Sequence, residues 1–344
     1  MVAEGSPPPK HGFHVEVCAR AVKVAKDYVV FPLSPHEPYR KSSGAGYSYD
    51  PPFLDRPNGL QRALGRQKSE ESARRLVTLS GVIAQLPITL VKGSPALTFT
   101  VGDKSALVVA DLHLGLEDEL ATRGVSIPDL SARVAQEFIE LVRGLSPDVV
   151  VLLGDVKHGV GLPSPRVRRL VREILCDLLE LVAEVRIIKG NHDGGLEEII
   201  PSGVNMIGPR GGTLGNLGLI HGHSWPADEI FSCRLVLAGH IHPAVRIIDP
   251  GTGRPKVLRA WMIVPWRREV LQERLGAPVS RESRVLILPA FNRFVGYGVF
   301  EGQPHMRRFG PLASHALDVE RAHFFSLDGH YLGSTAELSR RGPP

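Results

Sequence analysis

The chain has 344 residues, 43% of them hydrophobic and 22% charged, which excludes a disordered or fibrous protein and leaves an ordinary globular one with a full core. No run of about eighteen apolar residues occurs, and the first thirty residues lack the charged-then-apolar layout of a secretory leader, so neither a membrane span nor export is expected and the predicted location is cytoplasmic. The formal net charge of +5 is uneven: residues 1–76 carry twelve Lys or Arg against eight Asp or Glu (+4), leaving 29 against 28 (+1) for residues 77–344, so charge is weak evidence for a nucleic-acid partner.

Residues 1–75 mix proline-rich pieces (Pro7-Pro8-Pro9, Pro51-Pro52), the Ser/Gly-rich stretch from Ser42 and scattered charges, without a sustained helical or strand period. This basic extension is expected to be disordered, with one isolated apolar patch, Val15 to Phe31, to which no function is assigned. Cys18, Cys176 and Cys233 are odd in number and widely spaced, unlike a zinc site or a disulfide framework, and read as idle or buried thiols.

From Leu76 the texture changes to apolar, Gly- and Pro-bounded runs alternating with amphipathic segments. Strands are expected at Leu97–Val101, Ala106–Ala110, Val149–Leu153, Val185–Ile188, Leu217–Ile220, Leu235–Ala238 and Val285–Leu288, and helices at Leu130–Leu145 and Arg166–Val182. The pattern is α/β, with one domain at 76–338 and a flexible tail at 339–344.

Five of these runs end in side chains able to hold a cation. Asp111-Leu112-His113 leaves Leu107–Ala110, and Gly154-Asp155-Val156-Lys157-His158 leaves the next strand. Gly190-Asn191-His192-Asp193, His221-Gly222-His223 and Gly239-His240-Ile241-His242 follow three more. In α/β sheets, sites assemble at the carboxyl ends of strands, and alternate residues leaving a strand can point at one volume. Each run alone reads as a turn, since Asp, Asn and Gly favour turns after strands, but five such coincidences are hard to explain that way. Two aspartates, one asparagine and four histidines form an oxygen and imidazole set without thiolate, suited to manganese, iron or zinc.

Motif by motif and in order, these runs resemble the calcineurin-like metallophosphoesterase family. With Asp111–Glu117, Gly124, Leu288–Asn292 and Ser326–Gly329 included, they look most like its archaeal ICC-like and SbcD-related subgroup, which is related to bacterial DNA-ligase-associated phosphoesterases. The resemblance implies a four-layer α-β-β-α sandwich of two mixed sheets with flanking helices. It implies two divalent metals, manganese first, with iron, zinc, nickel or magnesium as alternatives. Asp111, His113 and His242 would bind one metal, Asn191, His221 and His240 the other, and Asp155 would bridge them. His192 would protonate the leaving oxygen after in-line attack by a hydroxide held between the metals.

Protein phosphatases of this family carry aspartate three residues after the bridging carboxylate. His158 stands there, as in the nucleases of the subgroup, and reads equally as nuclease-like or as a filler behind a ligand. His223 could meet a phosphate oxygen or hydrogen-bond a ligand, and Asp193 could hold the His192 loop or cap the next helix. Arg166, Arg168, Arg169 and Arg172 read as a solvated helix face before a phosphate track. Trp261 and Trp266, beside Arg259, Arg267 and Arg268, could stack a base or cover the sheet. The expected activity is a phosphodiesterase acting on DNA or nucleotides. Alternatives are a phosphomonoesterase on a small metabolite and a non-catalytic scaffold, against which the intact ligand set argues.

Overall fold

The computed structural model describes residues 88–249, 251–276, 279–300 and 309–340. The expectations for residues 1–75, including the Val15–Phe31 patch, and for 341–344 lie outside these. The described residues fall within one unit, Pro52–Pro344. None of their helices is long and apolar enough to cross a membrane, and Cys176 and Cys233 are free thiols.

The first half supplies strands β1 (Ile88–Leu90), β2 (Ala96–Val101) and β3 (Lys104–Val109), helices α1 (Leu116–Thr122) and α2 (Leu130–Leu145), and strand β4 (Val149–Leu152). Helix α3 (Pro165–Leu181) and strands β5 (Glu184–Ile188) and β6 (Val204–Ile207) follow. The six strands form one sheet in sequence order, antiparallel from β1 to β3 and parallel from β3 to β6.

The second half supplies β7 (Gly212–Leu214), β8 (Leu217–Leu219), β9 (Leu235–Ala238), β10 (Pro243–Ile248), β11 (Pro255–Arg259), β12 (Trp261–Pro265), α4 (Arg268–Leu275), β13 (Arg284–Ile287), β14 (Gly298–Phe300), β15 (His323–Phe325), β16 (Tyr331–Ser334) and α5 (Thr335–Arg340). Seven of these strands make a mixed sheet ordered β16-β15-β12-β13-β9-β8-β7, and β11-β10-β14 form a small third sheet that the sequence did not lead us to expect. Helix α5 runs two residues past the expected domain end at 338.

The central strands β4 and β9 are apolar throughout because both their faces are buried. Along β3 and β4, Leu107, Val109, Val150 and Leu152 pack with Val134, Phe138 and Val142 of α2 and Val171, Leu175 and Leu178 of α3. The alternate residues Val108, Val149 and Val151 pack with Leu235 and Leu237 of β9, Trp261 and Ile263 of β12 and Leu286 of β13. The other faces of those strands, Val236, Met262, Val264 and Val285, form a third core with Ile230, Leu271, Leu312 and Phe324. Three cores separate four layers, as the strand period of two requires. The helical layer on the second sheet is made of short pieces rather than long helices. Trp261 is fully buried between the sheets and Trp266 bonds Ser283 Oγ at 3.0 Å, so both serve the core rather than a base.

Capping defines the long helices. Asp129 accepts from Ala132 N–H ahead of α2, Ser164 accepts from Val167 N–H ahead of α3, and Pro165 occupies the first turn, where its missing N–H costs nothing. Phe138 of α2 is fully buried and meets Phe291 edge-to-face at 5.5 Å. Phe138→Ala is expected to cost about 3–5 kcal/mol of unfolding free energy through lost burial and the cavity left behind. Urea denaturation with an unchanged slope checks this, and a loss under about 1 kcal/mol would mean that the layer repacks.

Candidate metal centre

Parallel neighbours end at the same edge, so β3, β4 and β5 of one sheet and β8 and β9 of the other deliver their following residues to one rim. There the backbone takes an unusual path. Asp111 (φ 59°), His113 (43°), Asp155 (50°), His240 (72°) and His242 (48°) all lie in the left-handed region. Such a conformation costs a non-glycine residue on the order of 1–3 kcal/mol and persists only where surroundings enforce it. Asp111 N–H bonds Gly154 O at 3.2 Å, His113 N–H bonds Asp155 O at 2.8 Å, and Gly298 N–H bonds His242 O at 3.0 Å. Left-handed turns on either side of Leu112 and Ile241 send those apolar residues into the cores and their flanking neighbours to a common centre. Two glycines permit close approach: a Cβ at Gly190 would stand 2.2 Å from Asp155 Oδ1, and one at Gly239 would stand 2.8 Å from Asp111 Oδ2.

All seven expected ligand residues converge. Asp111, His113 and His242 form one group, and Asp155, His221 and His240 another, the ligand atoms within each lying no more than 4.8 Å apart. Asp155 Oδ2 is 3.5 Å from His113 Nε2 and 3.3 Å from His221 Nε2, so a single carboxylate oxygen adjoins both groups. His242 Nε2 lies 3.3 Å from both Asp111 Oδ1 and His113 Nε2, and Asn191 Oδ1 lies 3.2 Å from His221 Nε2. Donors held about 2.0–2.2 Å from a tetrahedral cation stand about 3.3–3.6 Å from each other, the spacing found here. Inward-facing imidazole and carboxylate lone pairs at such distances repel unless a cation or protons sit among them, so the donor set fits two divalent ions.

Outer hydrogen bonds fix these side chains. His221 Nδ1 donates to Leu153 O at 2.7 Å and His242 Nδ1 donates to Gly296 O at 2.8 Å, leaving each Nε2 toward the centre. His192 N–H holds Asp155 Oδ1 at 2.9 Å, His192 Nδ1 donates to His158 O, and His192 Nε2 is 4.0 Å from Asp155 Oδ2. Asp193 caps no helix with its side chain. Its buried carboxylate accepts from the N–H groups of Asp155, Val156, Lys157 and Gly190 at 2.8–3.4 Å. His158 lies against His113, their Nδ1 atoms 3.2 Å apart, and with His192 the two form a further group of ligand atoms no more than 4.8 Å apart. His223 Nδ1 is buried without a hydrogen-bond partner, so the expected bond to a ligand is not formed through that atom.

Three residues to which the sequence assigned no role also contribute. Lys157, fully buried, gives its ammonium to the carbonyls of Gly159, Gly161 and His192. Asn292 donates to Leu112 O at 3.0 Å. Glu119 Oε2 lies 2.9 Å from His158 Nε2. Arg166 is engaged by Glu117, Asp118 and Asp129. Arg168, Arg169 and Arg172 line an open depression with Pro163 and Pro165, apart from the histidine cluster.

Burial works against the charged form of His221, yet the Asp155 and Asp111 carboxylates hold it up to about 9. His242 is raised despite its burial by Asp111. Burial, reinforced by His221, pushes His240 down to about 3 and His223 down to about 4. Asp155 resists its own burial and stays well below the usual carboxylate range because His221 and His113 adjoin it. Without cations, the Asp155 and Asp111 carboxylates therefore favour the charged forms of His221 and His242.

Residues 105–230 match the model of the calcineurin-like phosphoesterase family. Among solved structures, the nuclease MPE of Pseudomonas putida is 19% identical, with a TM-score of 0.42, over 71% of this chain and 98% of its own. The phosphoesterase YfcE of E. coli is 22% identical, with a TM-score of 0.27, over 41% of this chain and 71% of its own. No curated protein matches the sequence.

The raised His221 has a consequence for stability. With its folded value near 9 against 6.5 in the unfolded chain, it contributes stability that is complete below pH 6.5 and lost as pH rises through about 9. Urea unfolding of the chelator-treated protein is expected to show a lower midpoint at pH 9.5 than at pH 6.5, with a smaller fall in His221→Asn. A flat wild-type profile would contradict the assignment.

Proposed function

We propose that this chain, whose residues 105–230 match the model of the calcineurin-like phosphoesterase family, is a metal-dependent, dinuclear phosphodiesterase acting on DNA or nucleotides. The observation that carries the dinuclear reading is Asp155 Oδ2, one oxygen adjoining two groups of donors. In this reading Asp111, His113 and His242 hold one ion, Asn191, His221 and His240 the other, and Asp155 serves both. The mixed oxygen and imidazole set favours manganese, and iron, zinc, nickel and magnesium are the alternatives for a metal screen. When bound, the ions would offset the negative charge that shields phosphorus and make a water acidic enough to attack near neutral pH.

The chain's own residues supply orientation and a proton. Asp155 is immobilised through Oδ1 by the His192 N–H, which leaves Oδ2 free for the centre. Because the carbonyl of His158 can only accept, it requires the His192 proton at Nδ1 and turns Nε2 toward Asp155. A second proton on Nε2 would be the one given to the leaving oxygen, help typically worth about 10²–10⁴ in rate. Diester preference is supported by His158, which stands where the phosphatases of this family carry aspartate. A manganese-supplemented screen of bis-p-nitrophenyl phosphate, p-nitrophenyl phosphate and single- and double-stranded DNA tests it. A preference for the monoester would make the enzyme a phosphomonoesterase.

Asp155→Ala would remove the one carboxylate that would serve both cations, so bound metal and turnover should fall together. His192→Ala should keep its metal, measured by elemental analysis, while turnover of an alkyl or nucleoside ester drops about 10²–10⁴-fold. An activated nitrophenolate departs without a proton, so its hydrolysis should suffer much less. Equal impairment on both substrates would make His192 a positioning residue. For residues 1–75, whose composition cannot offset chain entropy by burial, we propose a role outside catalysis: their deletion should leave metal-dependent turnover largely intact. A large fall in the turnover number of a folded truncated protein would refute that assignment.

A further inference from the structure

An imidazole can present Nε2 to a cation only when its ring proton sits on Nδ1. Backbone carbonyls enforce this for His221 and His242. For His113 the group at that position is another imidazole, His158, with the two Nδ1 atoms 3.2 Å apart. If His113 donates there, His158 Nδ1 must accept, and the proton of His158 then belongs on Nε2. That nitrogen lies 2.9 Å from Glu119 Oε2, a carboxylate that can only accept. Every proton is thereby placed in one consistent direction.

We propose that Glu119 and His158 are positioning residues that set the tautomer and orientation of His113, as a relay from carboxylate through two imidazoles to the first cation position. The inference rests on the metal-centre reading above.

The relay is built on anchored backbone. His158 N–H bonds Leu114 O at 2.9 Å, which ties its loop to the turn carrying His113. Glu119 lies on α1, whose preceding residues Glu117 and Asp118 grip Arg166 of α3, and Glu117 also accepts from Ser131 Oγ of α2. The carboxylate therefore comes to His158 on a helix fastened to two others, not on a free loop. The same arrangement opposes a substrate contact by His158: a phosphate oxygen seeking its Nε2 would meet the negative Glu119 already bonded there.

Manganese titration calorimetry on the full-length wild type and on Glu119→Ala, Glu119→Gln, His158→Asn and the double variant Glu119→Ala with His158→Asn tests the relay. Glu119→Ala should weaken manganese binding by about 10-fold, the lower end of the effect of removing an outer partner of a ligand histidine, because Glu119 acts through His158. Glu119→Gln, whose amide oxygen still accepts, should recover part of that loss. In the His158→Asn background, where the amide oxygen can accept from His113 Nδ1 unaided, removing Glu119 should cost nothing further. Nitrogen-15 NMR of the metal-free proteins should show His158 protonated on Nε2 in the wild type and a mixture of tautomers in Glu119→Ala. Unchanged manganese affinity in Glu119→Ala overturns the relay, as does an equal loss in both backgrounds, which would make Glu119 a structural support for α1. A wild type that takes up no manganese overturns the metal-centre reading and the relay with it, whereas failure of the relay alone leaves wild-type uptake intact.

Discussion

The carboxylate of Asp193, fully buried, gathers the N–H groups of Asp155, Val156, Lys157 and Gly190, and so welds the loop after β4 to the loop after β5. An isolated buried charge would be prohibitively costly, and four donors make this one tolerable. Its neighbour Lys157 works in the opposite sense, a buried ammonium with three carbonyls around it. Donors and acceptors that loops normally leave to water are thus consumed inside, and the segments carrying Asp155, His158, Asn191 and His192 become a single rigid piece. Where a side chain points at this rim is decided by these two residues as much as by the strands beneath.

The facing sheet is registered to that piece by the segment after β13. Phe291 N–H bonds Ala110 O and Asn292 N–H bonds Asp111 O, while the Asn292 amide reaches back to Leu112 O. Phe291 also rests on Phe138, so α2, the end of β3 and the exit from β13 share one contact. The Asp111–His113 turn therefore takes its geometry from both sheets at once. Packing of the outer helices and convergence of the two ligand groups are coupled properties of one rim.

Much of this was legible in the sequence because it is written at short range. Strands such as Val149–Leu152 and Leu235–Ala238 are apolar on both faces, and α2 begins and ends at the predicted residues. Asp111 and His113, and His240 and His242, were legible for the same reason, since each pair is separated by one side chain that the core absorbs. Less visible were the strands of the third sheet: β10 opens on a proline, β11 has no buried residue and β14 has three residues. Trp261 and Trp266 sit among arginines in sequence, which drew attention to stacking when their rings belong to the cores. Glu119 and Lys157 look like ordinary solvated charges. The meeting of Glu119 with His158 depends on how α1 and the β4 loop meet in space, and that of Lys157 with the His192 carbonyl on how two loops meet, and no local pattern encodes either.

The left-handed backbone at Asp111, His113, Asp155, His240 and His242 bears on how such a chain could change. Glycine, or often asparagine, adopts that conformation at lower cost than histidine or aspartate. Exchanging His113, His240 or His242 for glycine would relieve the backbone strain at those positions. Stabilising this protein while keeping its activity means working in the three cores and leaving the rim strained.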